Sequence, residues 1–252
     1  MTPAQRDALI DITNCGSVEE IWDMLISSMA RYGFDRLIYG FTRFRTGQSL
    51  GDPKDFHLLS NHSRAYTEAY IGQGLYYRAP MLRWVLENDG ACSWQMLASD
   101  TRLTPDEQKI IDFNATMGVT AGYTISFRSV SSRAKGAIAL TGRAGITQAE
   151  LDAVWAEHGS DIVLLNNVAH LKILTLPFIP PNQELTKRQR EALEWVSDGK
   201  TTHDIAERMG VSRATVEKHL RLARAVLKVD TTAQAVTKAS FQNQMFLIDP
   251  ES

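Results

Sequence analysis

The sequence predicts two domains: an α+β N-terminal part, built as an α-β-α sandwich with about five antiparallel strands, joined to an all-α unit of four helices. Three observations carry this prediction. The length, 252 residues, suits one large domain or two smaller ones. The stretch LPFIPPNQE, 176–184, sets Pro177, Pro180 and Pro181 close together, and a helix does not run through such a segment. Before this break helical and strand periodicities are mixed, and after it every periodic stretch is helical. The expected boundaries are 1–175, a fairly stiff linker at 176–184, and 185–252.

The elements follow in order. SVEEIWDMLISSMARYG places Val18, Ile21, Trp22, Leu25, Ile26 and Met29 on one helical face, with Ser17 and Glu20 spaced as a capping box. DRLIYGFTRF alternates as a strand, and FHLLS and ACSW are shorter strand candidates. TPDEQKIIDFNATMG reads as a helix capped by Thr104 and ended by Gly118. GYTISFRS and KGAIALTG form a hairpin through VSSRA. TQAELDAVWAEHGSDIVLLNNVAHLKIL is a long helix with an expected bend near Gly159, and is the candidate dimer element. Beyond the linker, helices begin at Thr186, near Thr201, at Ser212 and at TTAQAVTKASFQN.

Composition narrows the function. With 44% hydrophobic and 22% charged residues the chain has ample core material. No apolar run approaches the roughly 20 residues of a membrane span, and MTPAQRDALID lacks a signal-peptide core, so a cytoplasmic protein without membrane association is expected. Cys15 and Cys92 are far apart, which argues against a disulfide framework or a metal site. No cofactor is expected. The sequence has no HExxH, no GxSxG and no phosphate-cradling glycine loop, so an enzyme is not expected either. The net charge of −2 conceals an asymmetry. Residues 1–184 hold 16 Lys+Arg against 20 Asp+Glu, whereas 185–240 hold 11 against 7. A basic C-terminal module behind an acidic one is a nucleic-acid signal.

DIAERMGVSRATVEKHLRLA sharpens that signal. Ile205, Ala206 and Met209 make the inner face of a short helix, Gly210 permits a turn, and Val216 and Leu220 make the inner face of the next. That is a helix-turn-helix. Its second helix carries Arg213, Thr215, Glu217, Lys218, His219, Arg221 and Arg224 outward, residue types that bond base edges or phosphates. Lys200 and Thr201 suit phosphate contacts at the preceding helix start. A solvated amphipathic helix is the plainer reading of a basic face alone; the turn glycine, the cap and the local charge oppose it.

LTKRQREALEWVSDGKTTHDIAERMGVSRATVEKHLRLARAVLKVDTTAQAV resembles the LuxR-type helix-turn-helix domain over nearly all of 185–236. It departs at Gln189, at Asp230-Thr231-Thr232, and at Glu217, where a Lys or Arg is common. The N-terminal part resembles the autoinducer-binding domain of the quorum-sensing LuxR proteins. That pattern is an aromatic, usually Trp, then Tyr four residues on, Asp-Pro nine residues after the Tyr, Trp fourteen past the Pro, and a glycine before a strand. Here Tyr66, Tyr70, Pro80, Trp94 and Gly122 fill it. Ala79 stands where the family has the Asp that accepts the amide N–H of an acyl-homoserine lactone. An orphaned amide costs about 1–3 kcal/mol.

The resemblance implies an atypical, or solo, member: a dimeric regulator of double-stranded DNA with a roughly palindromic operator and a small, largely apolar signal other than a standard acyl-homoserine lactone. The implied ligand residues are Tyr66, Tyr70, Ala79, Met81, Trp94, Ile111, Thr141 and His62, with Leu82 and Ile110 as further apolar walls. Plain core packing is the competing reading for each, and Tyr76, Tyr77 and Trp84 stay as core or interface. A regulator that needs no ligand, its pocket filled by side chains such as Tyr66, is the alternative function.

Overall fold

The computed structural model describes residues 2–46, 50–99, 102–180 and 182–247. The chain divides into two compact units, Met1–Ile173 and Leu174–Ser252.

In the first unit, α1 (Pro3–Asn14) and α2 (Val18–Ala30) lead into β1 (Phe34–Thr42) and β2 (His57–Ser60). The short helix α3 (Arg64–Thr67) continues as a π-helical turn over Glu68–Gly72, followed by a 3-10 turn at Leu75–Arg78. Then come α4 (Pro80–Glu87), β3 (Gly90–Ser93), α5 (Gln95–Ser99), α6 (Pro105–Thr116), the hairpin of β4 (Gly122–Phe127) and β5 (Lys135–Gly142), and α7 (Gln148–Ile173). The sheet order is β2-β1-β5-β4-β3, with every neighbouring pair antiparallel. One face carries Leu37, Tyr39, Tyr123, Ile125, Ile138 and Leu140, all buried toward α2 and α7. The other face lies beneath α3, α4 and α6.

Local chemistry explains the ends. Thr104 and Glu107 form a complete capping box on α6. On α2 the box is half made: Ser17 accepts from the Glu20 amide, but the Glu20 carboxylate takes the N–H of Gly16 instead of Ser17. The helix α7 runs unbroken through Gly159. Gly159 is there for a neighbour, since a Cβ would meet the Trp155 ring at 2.5 Å. That ring lies flat on Tyr123 at 3.8 Å. Sequence periodicity missed α1, in which Ile12 is fully buried, and α4, which begins at a proline.

In the second unit, α8 (Lys187–Ser197), α9 (Thr202–Met209), α10 (Arg213–Leu227) and α11 (Thr232–Phe241) surround Leu193, Ile205, Val216, Leu227 and Ala239. The proline-rich segment belongs to this unit. Gln183, Gln242 and Gln244 are buried together and hydrogen-bonded to one another, and Gln244 also accepts from the Leu185 amide. Among the described residues no helix is long and apolar enough to cross a membrane.

Candidate functional site

Strand geometry builds the floor of the site. Side chains alternate between faces, so Ile38, Gly40 and Thr42 of β1 share a face with their β5 partners Ala139, Ala137 and Lys135. Thr124 of β4 stands opposite Ala139, and Gly122 opposite Thr141. At Gly40, Ala137 and Ala139 the side chain is at most a methyl group. Helices resting on such a floor leave space, and here it is a cavity of about 560 Å³, within the usual range for small-molecule sites. Tyr66, Tyr70, Tyr76, Met81, Leu82, Ile111 and Asn114 are among the residues that enclose it above.

The polar groups around the cavity are mostly occupied. The Trp94 indole N–H donates to Thr124 Oγ1 at 2.9 Å, and its ring presses on Gly122, where a Cβ would come within 2.9 Å of it and 2.3 Å of the Leu140 carbonyl. Behind Trp94, one Asp152 oxygen accepts from Ser93, Tyr123 and Gln148, which locks β3 to α7. The Tyr66 hydroxyl donates to Asn114 Oδ1 at 3.0 Å. Lys135 spends its ammonium on the Asn88 carbonyl and the Asp89 carboxylate. Tyr70 makes no hydrogen bond to any described residue, and burial pushes its hydroxyl pKa up, so it is a neutral, open donor. The buried Tyr76 hydroxyl, beside Tyr77, also lacks a partner of proper geometry. None of the described lining residues is Asp or Glu.

The structure therefore brings Tyr66, Tyr70, Ala79, Met81, Trp94, Ile111 and Thr141 around one cavity. His62 is different and corrects the expectation. It stacks behind Tyr66, ring centroids 4.5 Å apart, with Nε2 3.4 Å from Thr141 Oγ1, and does not line the space. Ile110 points into the core, 4% exposed. Tyr76, left outside the expected pocket, lines it. The π-helical turn before it widens the backbone by one residue per turn, which a simple helical wheel does not anticipate.

The second candidate surface lies on α9 and α10. Thr201 caps α9 and shares a capping box with Asp204. Gly210 adopts left-handed backbone, φ 65°, which lets the chain reverse between the helices. Ser212 caps α10. Ile205, Ala206, Met209, Val216 and Leu220 are buried between the helices, leaving Arg213, Glu217, Lys218 and Arg221 exposed on α10. Lys200, Thr215, His219 and Arg224 are half-buried. Thr215 shares its hydroxyl with Ser212 at 2.9 Å, and Arg224 bonds Thr232 Oγ1 at 2.9 Å, so both are partly committed to the fold.

Known proteins match this architecture. The autoinducer binding domain family matches residues 17–173, and the family of bacterial regulatory proteins, luxR family, matches 183–239. The transcriptional activator protein AnoR of Acinetobacter nosocomialis is 25% identical over 240 residues, covering 93% of this chain and 96% of AnoR. Escherichia coli SdiA has a similar fold, with TM-score 0.52 at 17% identity, covering 97% of this chain and 98% of SdiA. A structure of SdiA in complex with octanoyl-rac-glycerol gives TM-score 0.51 at 17% identity, covering 95% and 94%. The chain belongs to the LuxR family: it is a quorum-sensing-type transcription regulator with an autoinducer binding domain ahead of a DNA-binding helix-turn-helix.

Proposed function

We propose that this regulator senses a neutral, largely apolar molecule that offers a carbonyl or hydroxyl acceptor and has no amide N–H to satisfy. The observation that carries this reading is the absence of any carboxylate among the described lining residues, with Ala79 at the decisive position. The Asn114 side-chain oxygen, which lines the cavity, already accepts from Tyr66. Tyr70 supplies a donor for the acceptor. The octanoyl-rac-glycerol held by SdiA is an acyl ester of this general kind. A cavity of about 560 Å³ remains with Tyr66 in place, which opposes the self-filled, ligand-free alternative.

Ligand binding would bias the N-terminal unit, and two copies of the chain in the cytoplasm would present two α10 helices to a roughly palindromic operator. Arg213, Lys218 and Arg221 lie toward bases and phosphates, with Lys200 and Thr201 at the phosphate backbone. Arg221→Ala is expected to weaken operator binding roughly tenfold or more and leave the dimer intact. Undiminished affinity in a titration of labelled duplex would remove Arg221 from the interface.

Native mass spectrometry of protein from its source host tests the sensor reading. A co-purified small mass is expected, and Ala139→Phe, which plants a ring on the cavity floor, should eliminate it while the protein stays folded. A bare protein mass from both source and foreign hosts, with no thermal shift by neutral acyl esters, would overturn it.

A further inference from the structure

We infer that Glu217 reads a cytosine and so helps set the operator sequence of this protein; the inference rests on α10 meeting the operator as proposed above, with the helix in the major groove. Glu217 is exposed in the second turn of α10, with Arg213 four residues before it and Arg221 four residues after. That spacing permits ion pairs. Neither arginine pairs with it among the described residues, although Arg188 in the same unit pairs with Glu191, three residues on, at 2.8 Å. The carboxylate is exposed among cationic side chains, with no hydrogen bond or ion pair to a described residue.

Such a group is a liability on any DNA, because it repels phosphates wherever it meets them. The repulsion is offset where the carboxylate accepts a hydrogen bond from a base. The major groove offers two amino donors, cytosine N4 and adenine N6. Adenine sets its N7 acceptor beside the amine and so repels a second acceptor, whereas cytosine presents the amine without one on the same base. Arginines on either side suit guanine edges or the flanking phosphates. Glu217 thus weakens binding to most sequences and restores it at a cytosine, which makes it a residue of discrimination more than of affinity.

Selection of full-length protein against a randomised duplex pool, followed by titration of the selected and a scrambled duplex, tests this. Wild type is expected to enrich cytosine at one position of each half-site. Glu217→Ala should lose that preference by roughly tenfold or more while binding the scrambled duplex more tightly. Glu217→Gln should move the preference toward adenine, which a side-chain amide bonds through N6 and N7. The same motif in wild type and Glu217→Ala, with equal changes on both duplexes, would overturn the inference. If that occurs while Arg221→Ala still loses the site, only Glu217 is refuted; if wild type enriches nothing and Arg221→Ala changes nothing, the groove placement fails as well.

Discussion

Gly122→Ala will destabilise the N-terminal unit by roughly 3 kcal/mol, about 6–12 °C in thermal midpoint for a domain of this size. The added Cβ would lie 2.3 Å from the Leu140 carbonyl and 2.9 Å from two carbons of the Trp94 ring. The carbonyl belongs to the central strand β5 and has nowhere to go. Trp94 can move, but only by giving up its bond to Thr124. The variant should therefore lose both stability and ligand binding, with a changed tryptophan emission. Gly16→Ala is the control, since its Cβ would meet nothing closer than a Glu20 carboxylate oxygen at 3.9 Å. Equal melting curves for Gly122→Ala and wild type would refute the packing argument.

Mild acid should unfold the same unit. Three histidines are buried there, His57, His62 and His170. Burial is the main cause of each depressed pKa, about 3 for His57 and about 4 for the other two. Arg43 adds to it at His57 and His170, which also repels His57, while Arg36 adds to it at His62 against a weaker opposing pull from Asp35. A base whose folded pKa lies below its unfolded value, near 6.5, favours the folded state at higher pH. The unfolded chain takes up protons first as pH falls, so stability present above about 6.5 is lost on the way to about 4. Each histidine then removes on the order of 3 kcal/mol by pH 4, against a typical total of about 5–15 kcal/mol. Denaturant midpoints recorded from pH 7.5 to 4.5 should fall continuously. A flat profile would mean the rings are hydrated or already charged.

Much of this architecture was legible in the sequence because it is local. Alternation marked DRLIYGFTRF, the other four strands showed as short runs, and side-chain caps at Thr104, Thr186 and Ser212 marked helix starts without any tertiary information. The helix-turn-helix was equally readable, its inner face spelled by Ile205, Met209 and Val216. The cavity was less so. Tyr66, Tyr70 and Trp94 came forward through a family pattern, but His62 and Tyr76 exchanged expected places because backbone geometry, not spacing, decides which ring faces the space. A π-helical turn has no strong sequence signature. Nor does a cavity, since Gly40, Ala137 and Ala139 read as ordinary strand residues until the helices above them are in place.

Those three floor residues also bear on how such a receptor can change. The volume it offers is set by side chains that stop short, on strands whose other face is fully packed. At Gly40 a Cβ would meet only a Leu58 methyl, at 3.9 Å. A lineage could therefore move from long signals to short ones through successive methyl additions at Gly40, Ala137 and Ala139, each shortening the list of molecules that fit while the sheet and the DNA-binding unit stay as they are.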